Sequence, residues 1–183
     1  TKRKKIYMTK SIYFDSDCLS SFLRVNREKL LFHFYDGRIC VPELVFDELV
    51  RWRRRDILLK INKFKANQLF SMVEIVTGSD AFDIYYSLVI DAPIGRKQIG
   101  DGEAAVIALA KSNDGIVASN NFRDIEDYII EFNLEHLTTG FILHEAIQKE
   151  LIALKIGNRI WASMISDGVR LPELTLGDFI NRH

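Results

Sequence analysis

The chain has 183 residues, a length that accommodates one compact domain rather than two. Its 25 Lys and Arg balance 25 Asp and Glu, so no global field marks a nucleic-acid partner, although a local patch on a neutral protein still binds phosphate. The hydrophobic fraction of 48% reads as a soluble globule, and apolar runs such as residues 104–110 are far too short for a membrane span. The basic run Lys2-Arg3-Lys4-Lys5 precedes Met8 with no apolar core of signal-peptide length behind it, and Cys18 and Cys40 share no metal-type spacing. These features predict a cytoplasmic protein with two reduced, buried thiols and no membrane contact.

Ser11-Ile12-Tyr13-Phe14 predicts a buried strand closed by Asp15, with Asp15 or Ser16 capping a helix through Leu23. A second amphipathic helix spans 28–35 and stops at Gly37. Residues 38–41 form the next strand, and Pro42 takes the first position of a helix through Arg53. Residues 56–70 read as helix, with Ile57, Leu58, Ile61, Phe64 and Leu69 near helical spacing. A strand over 73–76 and a helix over 80–90 follow, then an alanine-rich helix over 100–110. Next come a strand over 115–118, a helix over 122–132 and a short strand over 135–138. The last third reads as helix over 139–155 and 159–166, followed by an irregular tail. No linker, repeat or low-complexity tract interrupts the chain. The alternation predicts an α/β fold with a parallel sheet, in which chemistry collects at the carboxyl ends of strands. Asp15 and residues 119–124 fall at such ends.

Four acidic segments stand out. Asp15 follows a strand directly, where it serves either as a helix cap or as a carboxylate awaiting a cation. Glu48 stands one turn after Leu44 on a face that Val45 and Leu49 mark as buried, and an ion pair with Arg51 is its alternative role. In Gly100-Asp101-Gly102-Glu103, acids open a helix of small residues, and Glu103 shares a face with Ile107 and Ala110. Both acids also suit the positive end of a helix dipole. The stretch Ser119-Asn120-Asn121-Phe122-Arg123-Asp124 places a hydroxyl, two amides and a carboxylate after a strand, where capping is again an alternative. Carboxylates gathered in one pocket repel unless a divalent cation neutralises them, and hard oxygen ligands suit Mg²⁺ or Mn²⁺. That chemistry fits phosphodiester hydrolysis.

These segments resemble the PIN-domain family, and within it the VapC-like toxins of toxin–antitoxin systems. The resemblance rests on Tyr13-Phe14-Asp15-Ser16, on Val41-Pro42-Glu43-Leu44 running to Glu48-Leu49, on Gly102-Glu103 with Ala108-Leu109-Ala110, and on Val117-Ala118-Ser119 running to Asp124-Ile125. It covers roughly residues 11–138 and implies a Rossmann-like fold, a central parallel sheet flanked by helices, with a C-terminal helical extension. On that resemblance the chain divides into a basic extension (1–10), a PIN-like domain (11–156) and a C-terminal helix and tail (157–183). The resemblance further implies a Mg²⁺- or Mn²⁺-dependent endoribonuclease. It assigns metal binding and catalysis to Asp15, Glu48, Glu103 and Asp124, with Ser119 and Asn121 as supporting hydrogen bonders. Glu103 stands where many relatives carry Asp, and Asn121 where many carry an Asp. A toxin of this type implies an RNA substrate, an antitoxin protein and a homodimer.

Arg51, Arg53 and Arg54 lie in the densest basic run, beside Trp52, and are the candidates for gripping RNA. Two other functions compete. Ile12-Tyr13-Phe14-Asp15-Ser16-Asp17 has the look of a haloacid-dehalogenase phosphatase, with Asp15 as nucleophile and Asp17 as acid. A PIN-like module that binds RNA or protein without cutting is the other.

Overall fold

The computed structural model describes residues 10–91 and 98–183, so the basic run Lys2-Arg3-Lys4-Lys5 and Met8 lie outside the described residues. Five parallel strands form its sheet: β1 (Ile12–Phe14), β2 (Ile39–Pro42), β3 (Ser71–Val73), β4 (Ile116–Ala118) and β5 (Glu135–Leu137). Their order is β3-β2-β1-β4-β5, with Tyr13 aligned to Cys40 on one side and to Val117 on the other. Every residue of β1, β2 and β4 is buried, as expected of inner parallel strands covered on both faces, whereas β3 and β5 are half-exposed edges.

Ten helices surround the sheet among the described residues: α1 (Ser16–Arg24), α2 (Glu28–Phe34), α3 (Glu43–Arg51), α4 (Arg55–Ala66), α5 (Asp80–Val89), α6 (Asp101–Ser112), α7 (Phe122–Glu131), α8 (Thr139–Gln148), α9 (Leu154–Ser166) and α10 (Leu176–Arg182). Helix α6 packs across β1, β2 and β4, and its residues 104–110 are all buried. A helix apolar on every side belongs inside a core, which explains the run of small residues in it. The architecture is Rossmann-like α/β. Cys18 and Cys40 are free and buried. No helix among the described residues is long and apolar enough to cross a membrane.

The chain leaves β1 to build β2 and β3 on one side, then returns to add β4 and β5 on the other. The crevice between the carboxyl ends of β1 and β4 is therefore the point where the strand order reverses. Asp15 and Ser119 are the first residues past those two ends.

Two predicted helix ends shift for one reason. The helix predicted over 139–155 is broken, because Glu150 adopts a left-handed backbone (φ 58°). The N–H of Leu151 then donates to the Ala146 carbonyl at 2.9 Å and that of Glu150 to Ile147 at 2.9 Å, a Schellman closure. Gln68 (φ 54°) ends α4 before Phe70 in the same way, with Leu69 N–H donating to the Phe64 carbonyl at 3.1 Å. Glycine is the usual residue at such positions, so Glu150 and Gln68 carry no visible stop signal. Pro42 closes β2 and flanks α3 rather than opening it, and β3 lies at 71–73 rather than 73–76. The expected irregular tail contains α10, capped by Thr175, whose Oγ1 accepts from the Asp178 N–H at 3.0 Å.

Candidate functional site

Asp15 caps α1: its Oδ1 accepts from the Cys18 N–H at 2.7 Å, while its own N–H donates to the Ala118 carbonyl at 2.9 Å. Asp15 thus fills the capping role read from the sequence, at the end of a strand. Asp15 is only 3% exposed, and burial pushes its carboxyl up to about 7 against hydrogen bonds from Ser119 and Cys18 that favour the charged form. Asp17 and Glu103 add to the upward push through repulsion.

A cavity of about 410 Å³ opens beside it, lined by Asp15, Asp17, Glu48, Asp101, Glu103 and Arg51 among others. Glu48 reaches it from α3. The sequence placed Glu48 on a buried face, but the residue is exposed at the cavity wall. Its carboxyl is still raised, mainly by desolvation, with Asp17 and Glu103 contributing and Ser16 opposing through a hydrogen bond. Arg51 lines the same cavity but has the smallest influence on Glu48. Gly102 makes room here, because a Cβ on it would stand 2.9 Å from Glu48 Oε2 and 3.4 Å from Val45.

Glu103 closes the start of α6 through Oε2, which accepts from the Gly100 N–H at 3.0 Å. Its Oε1 accepts from Asn121 Nδ2 at 2.5 Å, and the same amide donates to Asp124 Oδ2 at 2.9 Å. Asn121 therefore bridges the third and fourth acids. Asp124 itself does not line the acidic cavity but an adjacent one of about 420 Å³, which it shares with Asp17, Asn121 and Arg170. Ser119, 1% exposed, accepts from the Asn121 N–H at 3.1 Å, so the supporting residues hold one another as well as the acids.

The structure thus brings Asp15, Glu48 and Glu103 to one cavity and ties Asp124 to it through an amide. Two acids not among the four candidates, Asp17 and Asp101, also line it. In the sequence Asp101 was absorbed by the helix-dipole reading, and Asp17 entered only as the acid of the phosphatase alternative. Among the described residues, no three His, Cys, Asp or Glu side chains converge as a ready-made metal-holding group. The donor set nonetheless fits a hard divalent cation, since these carboxylates repel one another and Arg51, the one cation lining the cavity among the described residues, compensates weakly.

The basic candidates separate. Arg51 and Arg53 are exposed, with Arg51 at the acidic cavity. Arg54 instead donates to both carboxylate oxygens of Asp56, at 3.0 and 2.8 Å, and to Asp167 Oδ2 at 2.8 Å. Those bonds tie α4 to the end of α9, so Arg54 has a structural task rather than a free guanidinium. Trp52 is half-buried, with the Arg24 guanidinium 5.2 Å above its ring as a cation–π partner.

Compared with known sequences, a protein-family model described as a PIN domain matches residues 11–183. No curated protein matches the chain.

Proposed function

The chain belongs to the PIN-domain family, whose members are generally nucleases that use divalent metals, and on that premise we propose that it is a Mg²⁺- or Mn²⁺-dependent endoribonuclease. The observation that carries this reading is the buried Asp15 at the strand-order reversal, facing one cavity with Glu48 and Glu103. In this proposal Asp15, Glu48, Glu103 and Asp124 hold the cation. A divalent ion there supplies a Lewis acid for phosphoryl oxygens and favours deprotonation of water at neutral pH. Ser119 fixes the orientation of Asp15, and Asn121 sets the separation of Glu103 and Asp124. Arg51 and Arg53 attract the phosphate backbone to the mouth of the cavity. The likeness of the four acidic segments to VapC-like toxins extends the proposal to a toxin, a homodimer, and an antitoxin that occludes the acidic cavity. The haloacid-dehalogenase alternative is set aside by the family.

Cleavage of a mixed, structured RNA by purified protein tests the reading. Cutting that requires Mn²⁺ or Mg²⁺ and stops on chelation is the expected result. No cutting, with no metal-induced change in melting temperature, would move the chain to the second reading, an RNA- or protein-binding PIN module. That reading draws on the absence of a converged ligand group among the described residues.

Gly102→Ala offers a finer test. The new methyl group meets the mobile end of Glu48 rather than backbone, so the fold is expected to survive with a shift below about 1 kcal/mol. Glu48 must move, and metal affinity is expected to fall about 10-fold or more by titration calorimetry. Unchanged affinity would remove Glu48 from the ligand set.

A further inference from the structure

A third cavity, about 900 Å³, borders Asn120. Its walls are apolar and aromatic, formed chiefly by Phe122, Phe141, Leu171, Pro172 and Phe179. Phe122 is 38% exposed and stacks on the half-buried His136 ring, centroids 4.9 Å apart and planes 22° apart. The imidazole is anchored beneath it by a 2.8 Å contact between Nε2 and the Ser119 carbonyl. One surface of the Phe122 ring is thus backed by a fixed partner, and the remainder faces the cavity. Phe141 adds a second ring, itself braced edge-on by Phe179 at 5.3 Å.

Charge surrounds this apolar floor. Arg123 and Arg170 line the cavity, both are exposed, and neither forms an ion pair among the described residues. A hydrophobic ligand alone has no use for two free guanidinium groups. A ligand with flat apolar faces and anionic links suits both features.

The cavity is also continuous with the acids. The groove lined by Asp17, Asn121 and Asp124 shares Asn120 and Arg170 with it, and shares Asp17 with the acidic cavity. The first turn of α7 joins the two ends: Asn121 and Asp124 serve the acids, while Phe122 and Arg123 between them line the aromatic cavity. Asn120 is held in place, its Nδ2 donating to Ser21 Oγ at 3.2 Å and its Oδ1 accepting from the Thr139 N–H at 2.9 Å.

We propose that this cavity is a subsite for one unpaired nucleobase of single-stranded RNA, with the base stacked on Phe122 and its flanking phosphates held by Arg123 and Arg170. The inference rests on the nuclease reading for the identity of the strand, and it adds a requirement that the strand be unpaired on one side of the cut. Stacking of this kind tolerates any base, because every base has a π-face. A duplex cannot enter, so paired RNA is excluded at this point.

The test uses the full chain with chelator present, so that binding is read without cleavage. A fluorescein-labelled, ten-nucleotide single-stranded RNA is titrated and followed by anisotropy against wild type, Phe122→Ala, Phe122→Trp, Arg170→Ala and Asp15→Asn. Phe122→Ala is expected to raise Kd about 5-fold or more, and Phe122→Trp to restore it. Arg170→Ala is expected to weaken binding and to lower the slope of log K against log salt by about 0.7. A strand of abasic residues is expected to bind wild type and Phe122→Ala equally. Asp15→Asn removes a negative charge from the neighbouring acidic cavity and is expected to bind no more weakly than wild type. Because binding is read without metal, metal-dependent cutting can fail while the binding results stand, which separates this inference from the nuclease reading. Equal RNA affinity for wild type, Phe122→Ala and Arg170→Ala overturns the proposal and returns the cavity to a protein segment as occupant. Absence of RNA binding by the wild type overturns it as well.

Discussion

Replacing Asp15 by Asn is expected to lower metal-dependent RNA cleavage about 100-fold or more, and at pH 8 to make the metal-free protein more stable than the wild type. Asparagine keeps the acceptor for the Cys18 N–H and nearly the same volume, so the cap survives while the charge goes. The charge is costly where it stands. Folding raises the Asp15 carboxyl from 3.8 to about 7, so between those values the folded chain binds more protons than the unfolded one. Stability from this group is therefore fully present below about pH 4 and lost as pH rises through about 7. The gap corresponds to about 4 kcal/mol at most. Urea denaturation in chelator at pH 5 and pH 8 reads the difference between the two proteins. Burial holds the His136 imidazole below its ordinary 6.5, giving a change of opposite sign, but that term is common to both proteins and cancels. Mg²⁺ or Mn²⁺ is expected to restore the wild type at pH 8 and to do little for the variant. If both proteins show the same pH dependence and the same response to metal, Asp15 is neither an unsatisfied charge nor a ligand.

What the sequence made legible here follows from where each signal lived. The strands β1, β2 and β4 are short, wholly apolar and punctuated by turn residues, so their location was plain from residues such as Tyr13, Val41 and Val117. Edge strand β3 was misplaced because Ser71-Met72-Val73 is half-exposed and carries little apolar pattern. Helix ends at Gln68 and Glu150 were invisible because long polar residues occupy a left-handed position that usually announces itself as glycine. The acids were found by order along the chain, at strand ends and helix starts. Their distribution over two adjoining cavities was not, because it depends on the Asn121 amide reaching two carboxylates at once. Asn121 itself looked like a departure from the family pattern. In the fold its amide donates to both acids, where a carboxylate would have added a further negative charge. The aromatic cavity could not be assembled from the sequence, since Phe122, Phe141 and Phe179 come from three helices that only the C-terminal packing brings together.

That packing hangs on Trp161, and Trp161→Ala is expected to cost about 3–5 kcal/mol, the largest stability loss of any change considered. The indole is fully buried, its Nε1 donates to the Glu173 carbonyl at 2.9 Å, and its ring lies 5.6 Å from that of Phe179. Truncation would leave a cavity in a core that cannot collapse onto it, and would strip the Glu173 carbonyl of its donor. Trp52→Ala is the matched control. That indole is half-buried and its main specific partner is the Arg24 guanidinium above it, so a loss of about 1 kcal/mol is expected. Denaturation by urea, followed by far-UV circular dichroism, compares the two midpoints at unchanged slope. The functional consequence divides in an informative way. Helix α10 docks its Phe179 against Trp161 of α9, and Glu173, three residues beyond Arg170, accepts from the same indole, whereas Asp15, Glu48 and Glu103 belong to the β1, α3 and α6 side of the molecule. Below its melting temperature, Trp161→Ala is therefore expected to bind single-stranded RNA more weakly while keeping its metal affinity. Equal losses of both would mean that the C-terminal helices and the acidic cavity unfold as one unit, and that the aromatic wall is part of the catalytic core rather than an attachment to it.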